Sequence, residues 1–204
     1  MSLAMRLPAI AVGFALGFIA AATATASAAG PSFDCGKVEP GSIEALICTD
    51  DALSALDRKL SQVYAAALDK AIHEQPPILK AEQRGWIKGR DDCWKSDDKR
   101  ACVEQAYRLR IAELQARYRL AAASGSATYV CDGQPAKQVT ATFFETDPPT
   151  AIAEFGDQTS LMFQQPAGSG AKYQGSNEML WEHQSEAVIS WGHEGPEMRC
   201  RVRH

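Results

Sequence analysis

The chain has 204 residues, of which 46% are hydrophobic and 23% are charged, and its formal net charge is −4. Acidic residues outnumber basic ones by 10 to 5 after residue 122, which argues against a nucleic-acid partner and favours a cationic one. The alternative is that this charge only keeps a small domain soluble.

The first thirty residues have the features of an export signal. Arg6 provides a basic start, an apolar stretch covers residues 7–22, and the Ala-Ser-Ala sequence at 26–28 is a small-x-small cleavage site. The stretch is short for a membrane-spanning helix. We therefore expect residues 1–29 to be removed and the mature protein to lie in the periplasm. Cys35 follows Ser-Phe-Asp, which is not a lipid-attachment motif, so we expect no stable membrane anchor.

All six cysteines lie in the expected mature protein. An even number in an exported chain is typical of a disulfide framework, because oxidising compartments let such bonds persist. A zinc site would need close pairs such as C-x-x-C, whereas the tightest spacings here are 9 and 13 residues. The cysteines are Cys35, Cys48, Cys93, Cys102, Cys131 and Cys200.

The N-terminal half has the periodicity of helices. Apolar residues recur at steps of three and four between Leu53 and Ala67. Ser42 suits a helix N-cap, and the Pro76–Pro77 pair is expected to end the first helix. Two further helices are predicted over about 78–94 and 99–120.

The predicted helix ends suggest a disulfide pairing. Cys48 lies near the start of the first helix, and Cys93 lies at the end of the second, antiparallel one. These ends meet, which favours Cys48–Cys93 and leaves Cys35–Cys102. The sequence leaves the other pairings of these four cysteines open.

Beyond a small-residue linker at 121–126, the pattern changes to short alternating runs separated by turn residues. Such runs predict seven or eight strands in an antiparallel barrel or sandwich, with Cys131 and Cys200 joining the first strand to the last. The fold class is therefore α+β in two modules, a disulfide-bridged three-helix bundle at 31–120 and a small β-barrel at 127–204. The predicted runs are 128–131, 139–144, 151–155, 161–163, 178–181, 187–191 and 198–202.

Several motifs in the second module match a known family. They are Tyr129–Cys131, Ser169–Tyr173, Leu180–Trp181, Glu186–Ala187 and Cys200. In these positions the module resembles the MliC family, the membrane-bound inhibitors of c-type lysozyme. The resemblance implies an eight-stranded antiparallel barrel and a c-type lysozyme, a cationic protein, as the partner.

The first module resembles the LprI-type domain, which is also linked to lysozyme inhibition. The matching positions are mostly core and bridge residues, so they indicate the fold more than the function. We expect Gln83, Trp86 and Arg90, on one helix face, to serve packing and a structural ion pair. The matching positions are Phe33–Cys35, Glu44–Cys48, Leu53–Leu60, Gln83, Trp86, Arg90, Cys93, Cys102, Tyr107 and Arg110.

The MliC resemblance implies a loop that enters the lysozyme cleft. Such an enzyme uses one protonated and one ionised carboxyl group, which a hydroxyl and a cation can engage. Ser169 is the candidate hydroxyl, and glycines on either side keep the loop slim. Tyr173 is expected either to contact lysozyme or to pack beneath the loop. The candidate lysozyme-binding residues are Gly168, Ser169, Gly170, Ala171, Lys172, Tyr173 and His183.

The expected cation differs from the family pattern. The family places a lysine fourteen residues after the loop serine and a glycine next to it, whereas this chain has His183 and Gln184 there. An imidazole loses its charge between about pH 6 and 8, so inhibition should weaken over that range. Lys172 is the alternative, pH-independent cation.

Other functions have weaker support. The pairs His73–Glu74 and His193–Glu194 have no metal or triad spacing, so we expect no enzymatic activity, no metal and no cofactor. One alternative is an envelope protein or cell-wall interaction module that does not inhibit lysozyme. A second is that the barrel now binds another glycan hydrolase.

Overall fold

The computed structural model describes residues 29–73 and 78–203. Residues 1–28 of the expected export signal and the Pro76–Pro77 pair lie outside the described residues, as does Glu74. Within the described residues, no helix is both long enough and apolar enough to span a bilayer.

The first module is helical. Ser42 caps α1 as predicted, because its hydroxyl accepts a hydrogen bond from the amide of Ala45 at 3.1 Å. Short 3₁₀ turns lie at Cys35–Lys37, Ala71–His73 and Asp92–Lys95. The α-helices of the described residues are α1 (Ile43–Thr49), α2 (Asp51–Lys70), α3 (Ile78–Asp91) and α4 (Lys99–Arg117).

The predicted first helix is two helices, separated at Asp50. This residue has an extended backbone, with ψ at 113°. Its carboxylate accepts hydrogen bonds from the amides of Ala52 and Leu53 at 2.9 and 3.0 Å. An aspartate in this position begins a new helix, although the apolar periodicity continues across it.

Two predicted disulfides, Cys48–Cys93 and Cys35–Cys102, are wrong. The bonds join Cys35 to Cys48 and Cys93 to Cys102. The prediction treated Cys48 as the start of one long helix, whereas it lies in the short α1. It bonds to the preceding 3₁₀ turn, and Cys93 bonds across a short turn to α4. Both bonds are local for this reason.

A polar network crosses the core of the helical module. The buried Tyr107 donates a hydrogen bond to Asp57 at 2.8 Å and accepts one from Arg90 at 2.9 Å. Arg90 also pairs with Glu44 at 2.7 Å, and its guanidinium lies 5.7 Å from the ring of Trp86. Burial raises the pKa of Tyr107, so it stays a neutral donor. The predicted structural ion pair is present.

Residues 123–202 form a closed barrel of eight strands in which each strand is antiparallel to the next and the last pairs with the first. The predicted α+β organisation is confirmed, as is the Cys131–Cys200 bond between the end strands. The first strand begins at Ala123, so much of the predicted linker is strand. The strands are β1 (Ala123–Cys131), β2 (Gln138–Phe144), β3 (Thr150–Phe155), β4 (Gln158–Gln165), β5 (Ala171–Gln174), β6 (Met179–His183), β7 (Glu186–Ser190) and β8 (Met198–Val202).

The two modules contact each other directly. Ala116 of α4 is fully buried against Phe144 and Ile152 on the outer wall of the barrel. Arg108 of α4 pairs with Asp147 in the β2–β3 connection at 2.6 Å. Helix α4 therefore packs across the barrel wall near the end that carries the β2–β3, β4–β5 and β6–β7 connections, which we call the loop end.

Candidate functional site

The β4–β5 connection at residues 166–170 projects at the loop end, and Gly168 and Ser169 within it are exposed. Gly170 has a left-handed backbone, with φ at +67°. A Cβ atom there would overlap the carbonyl oxygen of Glu182 in β6. The absence of a side chain at Gly170 therefore lets the base of the loop rest on the β6 backbone.

The predicted loop is shorter than expected, because Ala171, Lys172 and Tyr173 lie in β5. Lys172 pairs with Trp181 of β6, and Tyr173 pairs with Leu180. The alternation of a strand turns Tyr173 into the barrel, where it is buried, and its ring centroid lies 5.3 Å from that of Phe143. Tyr173 thus packs beneath the loop, one of its two predicted roles, and burial raises its pKa.

His183 lies beside the base of this loop. It is the last residue of β6, is exposed, and pairs with Glu186 of β7. A Cβ atom on Gly170 would lie 3.2 Å from the Cα of His183. Since Ser169 precedes Gly170 in the chain, the structure brings Ser169 and His183 to the same rim.

The turn after His183 explains the glycine that the MliC family places there. Gln184 occupies that position with φ at 61°. A left-handed backbone suits the first central residue of a two-residue β-hairpin turn, and glycine adopts it without strain. Gln184 adopts this backbone here, so the β6–β7 hairpin forms without a glycine at this position.

Sequence reasoning did not identify the role of Trp181. Its indole N–H donates a hydrogen bond to the carbonyl oxygen of Ser169 at 2.9 Å. The ammonium of Lys172 lies 6.0 Å from the centre of its ring. Trp181 therefore fixes the loop from the outer face of β6. The signal was available, because Trp181 lies two residues before His183 and the two must share one face of the strand.

A second support crosses the barrel interior. The hydroxyl of Tyr129 in β1 donates to the Oε2 atom of Glu182 in β6 at 2.6 Å, although these strands are not neighbours. Burial, followed by the effect of the Glu182 carboxylate, raises the pKa of Tyr129, so it stays protonated and donates. This bond stabilises the part of β6 on which Gly170 rests.

The site consists of polar and charged side chains and does not resemble a metal centre. In the part of the chain that the structure describes, no group of three or more histidine, cysteine or acidic residues is placed to hold a metal ion. The candidate residues instead bring a hydroxyl, an imidazole and an ammonium group to this rim, from Ser169, His183 and Lys172. Such a set can hydrogen-bond and neutralise carboxyl groups on a partner.

Comparison with known proteins identifies both modules. The family model for the membrane-bound lysozyme-inhibitor of c-type lysozyme, MliC, matches residues 129–198, and the model for the lysozyme inhibitor LprI matches residues 35–114. Lipoprotein LprI of Mycobacterium tuberculosis is 33% identical to this chain over 182 residues, which is 89% of each chain, and the Mycobacterium bovis protein matches equally. This chain belongs to the LprI family.

A solved structure of Pseudomonas aeruginosa MliC in complex with hen egg white lysozyme is also similar, at 21% identity and a TM-score of 0.33, covering 41% of this chain and 86% of that one. In this LprI-family protein the MliC match includes the whole 166–170 loop and His183, and the LprI match includes most of the helical module. Both family descriptions are of inhibitors.

Proposed function

We propose that this protein inhibits c-type lysozyme in the periplasm by placing the 166–170 loop in the catalytic cleft. The observation that carries the proposal is the seating of Gly170 on β6, which presents Ser169 and His183 at one rim. The MliC match over residues 129–198 supports lysozyme as the target. Exposure of Gly168 and Ser169 supports a role for the loop as the inserted element.

The chemistry follows from the target's two carboxyl groups, one protonated and one ionised. The Ser169 hydroxyl hydrogen-bonds one carboxyl group, and the imidazolium of His183 pairs with the other. Both contacts strengthen when the loop excludes water, because competition and screening fall. Lys172 adds positive charge from the adjacent strand, while Trp181 and Tyr173 hold the loop and do not enter the cleft.

The direct test is lysis of a cell-wall suspension by c-type lysozyme with and without the purified mature protein. We expect the wild type to slow lysis and the double variant Ser169→Ala with His183→Ala to lose most of this effect. The matched control replaces Ser176 and His193 with alanine, since both are exposed at the opposite end of the barrel. A wild type that never slows lysis favours the non-inhibitory envelope module instead.

The pH dependence of lysozyme binding tests whether His183 is the cation. We expect the dissociation constant for lysozyme to rise between pH 6 and 8, the range in which an imidazolium ordinarily loses its proton. His183→Lys keeps a charge there, so its profile should be flatter than that of the wild type. Parallel profiles for the two proteins contradict a role for this imidazole.

The proposed location is consistent with the cysteines. Cys35, the first cysteine of the chain, is bonded to Cys48, and the described residues contain no free cysteine. Its thiol is therefore committed to a disulfide, which favours a protein released into the periplasm after signal removal. Mass spectrometry of the mature N-terminus tests this, and a lipid-modified cysteine contradicts it.

A further inference from the structure

We infer that the helical module and the barrel form one continuous surface that contacts a single lysozyme molecule, with Trp94 and the first half of α4 as the second contact. The inference rests on the proposed function and deepens it. A stable protein interface uses about 20 to 30 residues on each side. A five-residue loop with His183 supplies too few, so a tightly bound lysozyme needs a further surface nearby.

The further surface is a cleft that adjoins the start of the 166–170 loop. A cleft separates the first half of α4 from the end of β4, and Gln165, which lines it, is followed directly by the 166–170 loop. The Arg108–Asp147 ion pair bridges the two sides of this cleft at 2.6 Å. We call it the junction cleft. Its lining residues in α4 are Ala101, Glu104, Gln105, Arg108 and Leu109.

The two walls of the junction cleft are held together. Ala116 packs against Phe144 and Ile152, and the guanidinium of Arg119 lies 4.8 Å from the centre of the Phe144 ring. The helical module therefore faces a lysozyme at the loop end in a fixed position. Contacts that are already ordered lose less conformational entropy on binding than contacts joined by a free linker.

Trp94 extends the α4 wall outward. It is 60% exposed, and the Cys93–Cys102 bond, with a Cα–Cα distance of 5.7 Å, holds its Cα within about 13 Å of that of Ala101. Exposed tryptophans are over-represented among the residues that dominate binding energy. The position of Trp94 at the end of the cleft wall makes it a candidate anchor.

The charge around Trp94 suits the same partner. Residues 91–100 contain four aspartates and three basic residues; Asp97 is exposed, and Asp92 pairs with Lys95 at 2.8 Å. A c-type lysozyme is a cationic protein, so the exposed carboxylates beside Trp94 attract it. The loop, the junction cleft and this segment thus make up the surface that we assign to one cationic partner.

The test measures binding of the full chain to a c-type lysozyme by isothermal titration calorimetry. We expect Trp94→Ala to weaken binding about tenfold. Gln105→Arg should weaken it and Gln105→Glu should not, because the partner is cationic. Trp94 and Gln105 are both exposed, so we expect these variants to keep the fold. Ile72→Ala is the matched control, since Ile72 is 72% exposed and lies past the opposite end of α2, about 30 Å from the α2 start.

The outcomes separate the two proposals. If Trp94→Ala and both Gln105 variants bind like the wild type while the Ser169 and His183 double variant does not, the second contact is wrong and the proposed function stands. A stoichiometry of two lysozymes per chain also overturns the single-molecule arrangement. If the wild type does not bind lysozyme at all, both proposals fail.

Discussion

The two glycines of the 166–170 loop differ in whether the structure leaves room for a side chain. A Cβ atom on Gly170 would overlap the Glu182 carbonyl oxygen, whereas one on Gly168 would have no neighbour within 4 Å. We therefore expect Gly170→Ala to weaken inhibition at least tenfold, because the loop must lift from β6. Gly168→Ala should inhibit nearly as the wild type does. Inhibition constants for both variants check this, and equal losses would show that the loop responds to any added bulk.

The indole of Trp181 provides a second test of loop placement. Trp181→Phe keeps an aromatic ring for Lys172 but removes the N–H group that bonds the Ser169 carbonyl at 2.9 Å. That carbonyl is exposed to water, so the free energy of unfolding should fall by only about 1 kcal/mol. Inhibition should weaken severalfold. Trp191→Phe is the control, because it loses an equivalent bond to Gln158 at the other barrel end. Similar inhibition by the two variants contradicts the anchoring role.

Individual residues of the site were predictable to different degrees. Ser169, Gly170 and His183 follow from a motif and a fixed spacing, and the structure brings them together. The anchoring by Trp181 and Glu182 was not predicted, although alternation along β6 already places Trp181 on the same face as His183. What the strand sequence does not specify is the pairing of β6 with β5, which brings the loop against the Trp181 indole and the Glu182 carbonyl.

The start of α2 can be tested as an element. Asp50→Ala removes the acceptor for two backbone amides and the partner of Arg100 at 2.8 Å, and we expect a loss of about 1–2 kcal/mol of unfolding free energy at pH 7. Asp51→Ala is the control, because Asp51 is exposed in the first turn and does not cap it. Urea unfolding of both variants measures the difference.

The same residue gives a pH dependence with a definite sign. The hydrogen bond from the Leu53 amide, helped by Arg100, lowers the pKa of Asp50 below its usual value. A lowered carboxyl pKa stabilises the fold above the unfolded-state value of about 3.9. That contribution is lost as pH falls through the lower folded value. The stability gap between the wild type and Asp50→Ala should therefore be constant above about pH 5 and shrink below about pH 4. A gap that widens in acid contradicts this assignment.

Elements with strong patterns were predicted well, and those with weak patterns were not. Seven of the strands correspond to alternating apolar runs, whereas β5 follows a Gly-Ser-Gly sequence and has only four residues. The first half of β1 consists of small residues typical of a linker. Its strand conformation comes from pairing with β2, where Ala123 lies opposite Phe144. Such pairing is a long-range effect that local composition does not reveal.

At the scale of the whole molecule, the contact between modules was the least predictable feature. The small residues at 121–126 indicated a linker between the modules, yet β1 begins at Ala123 and α4 packs on the barrel wall. Phe144 and Ile152 form this interface from the outward side of their strands. In an isolated barrel those positions would be read as exposed, so only the docked helix explains their apolar character.

The disulfides have unequal expected effects on the molecule. The Cys131–Cys200 bond spans 69 residues and the Cys35–Cys48 bond spans 13, so the chain-entropy contribution is about 4 kcal/mol for the first and about 3 kcal/mol for the second. Replacing each pair by alanines and measuring urea unfolding checks this order.

Inhibition should separate the two disulfide variants further. Cys131 lies directly opposite Cys200 in the β1–β8 pair that closes the barrel, and β1 also carries Tyr129, which holds Glu182 beneath the loop. Loss of the Cys131–Cys200 disulfide loosens β1, so we expect weaker inhibition even at temperatures where the barrel remains folded. Loss of Cys35–Cys48 loosens only the N-terminal turn and α1, and inhibition should be retained. If the barrel variant, folded by circular dichroism, inhibits like the wild type, the position of the loop does not depend on closure of β1 onto β8.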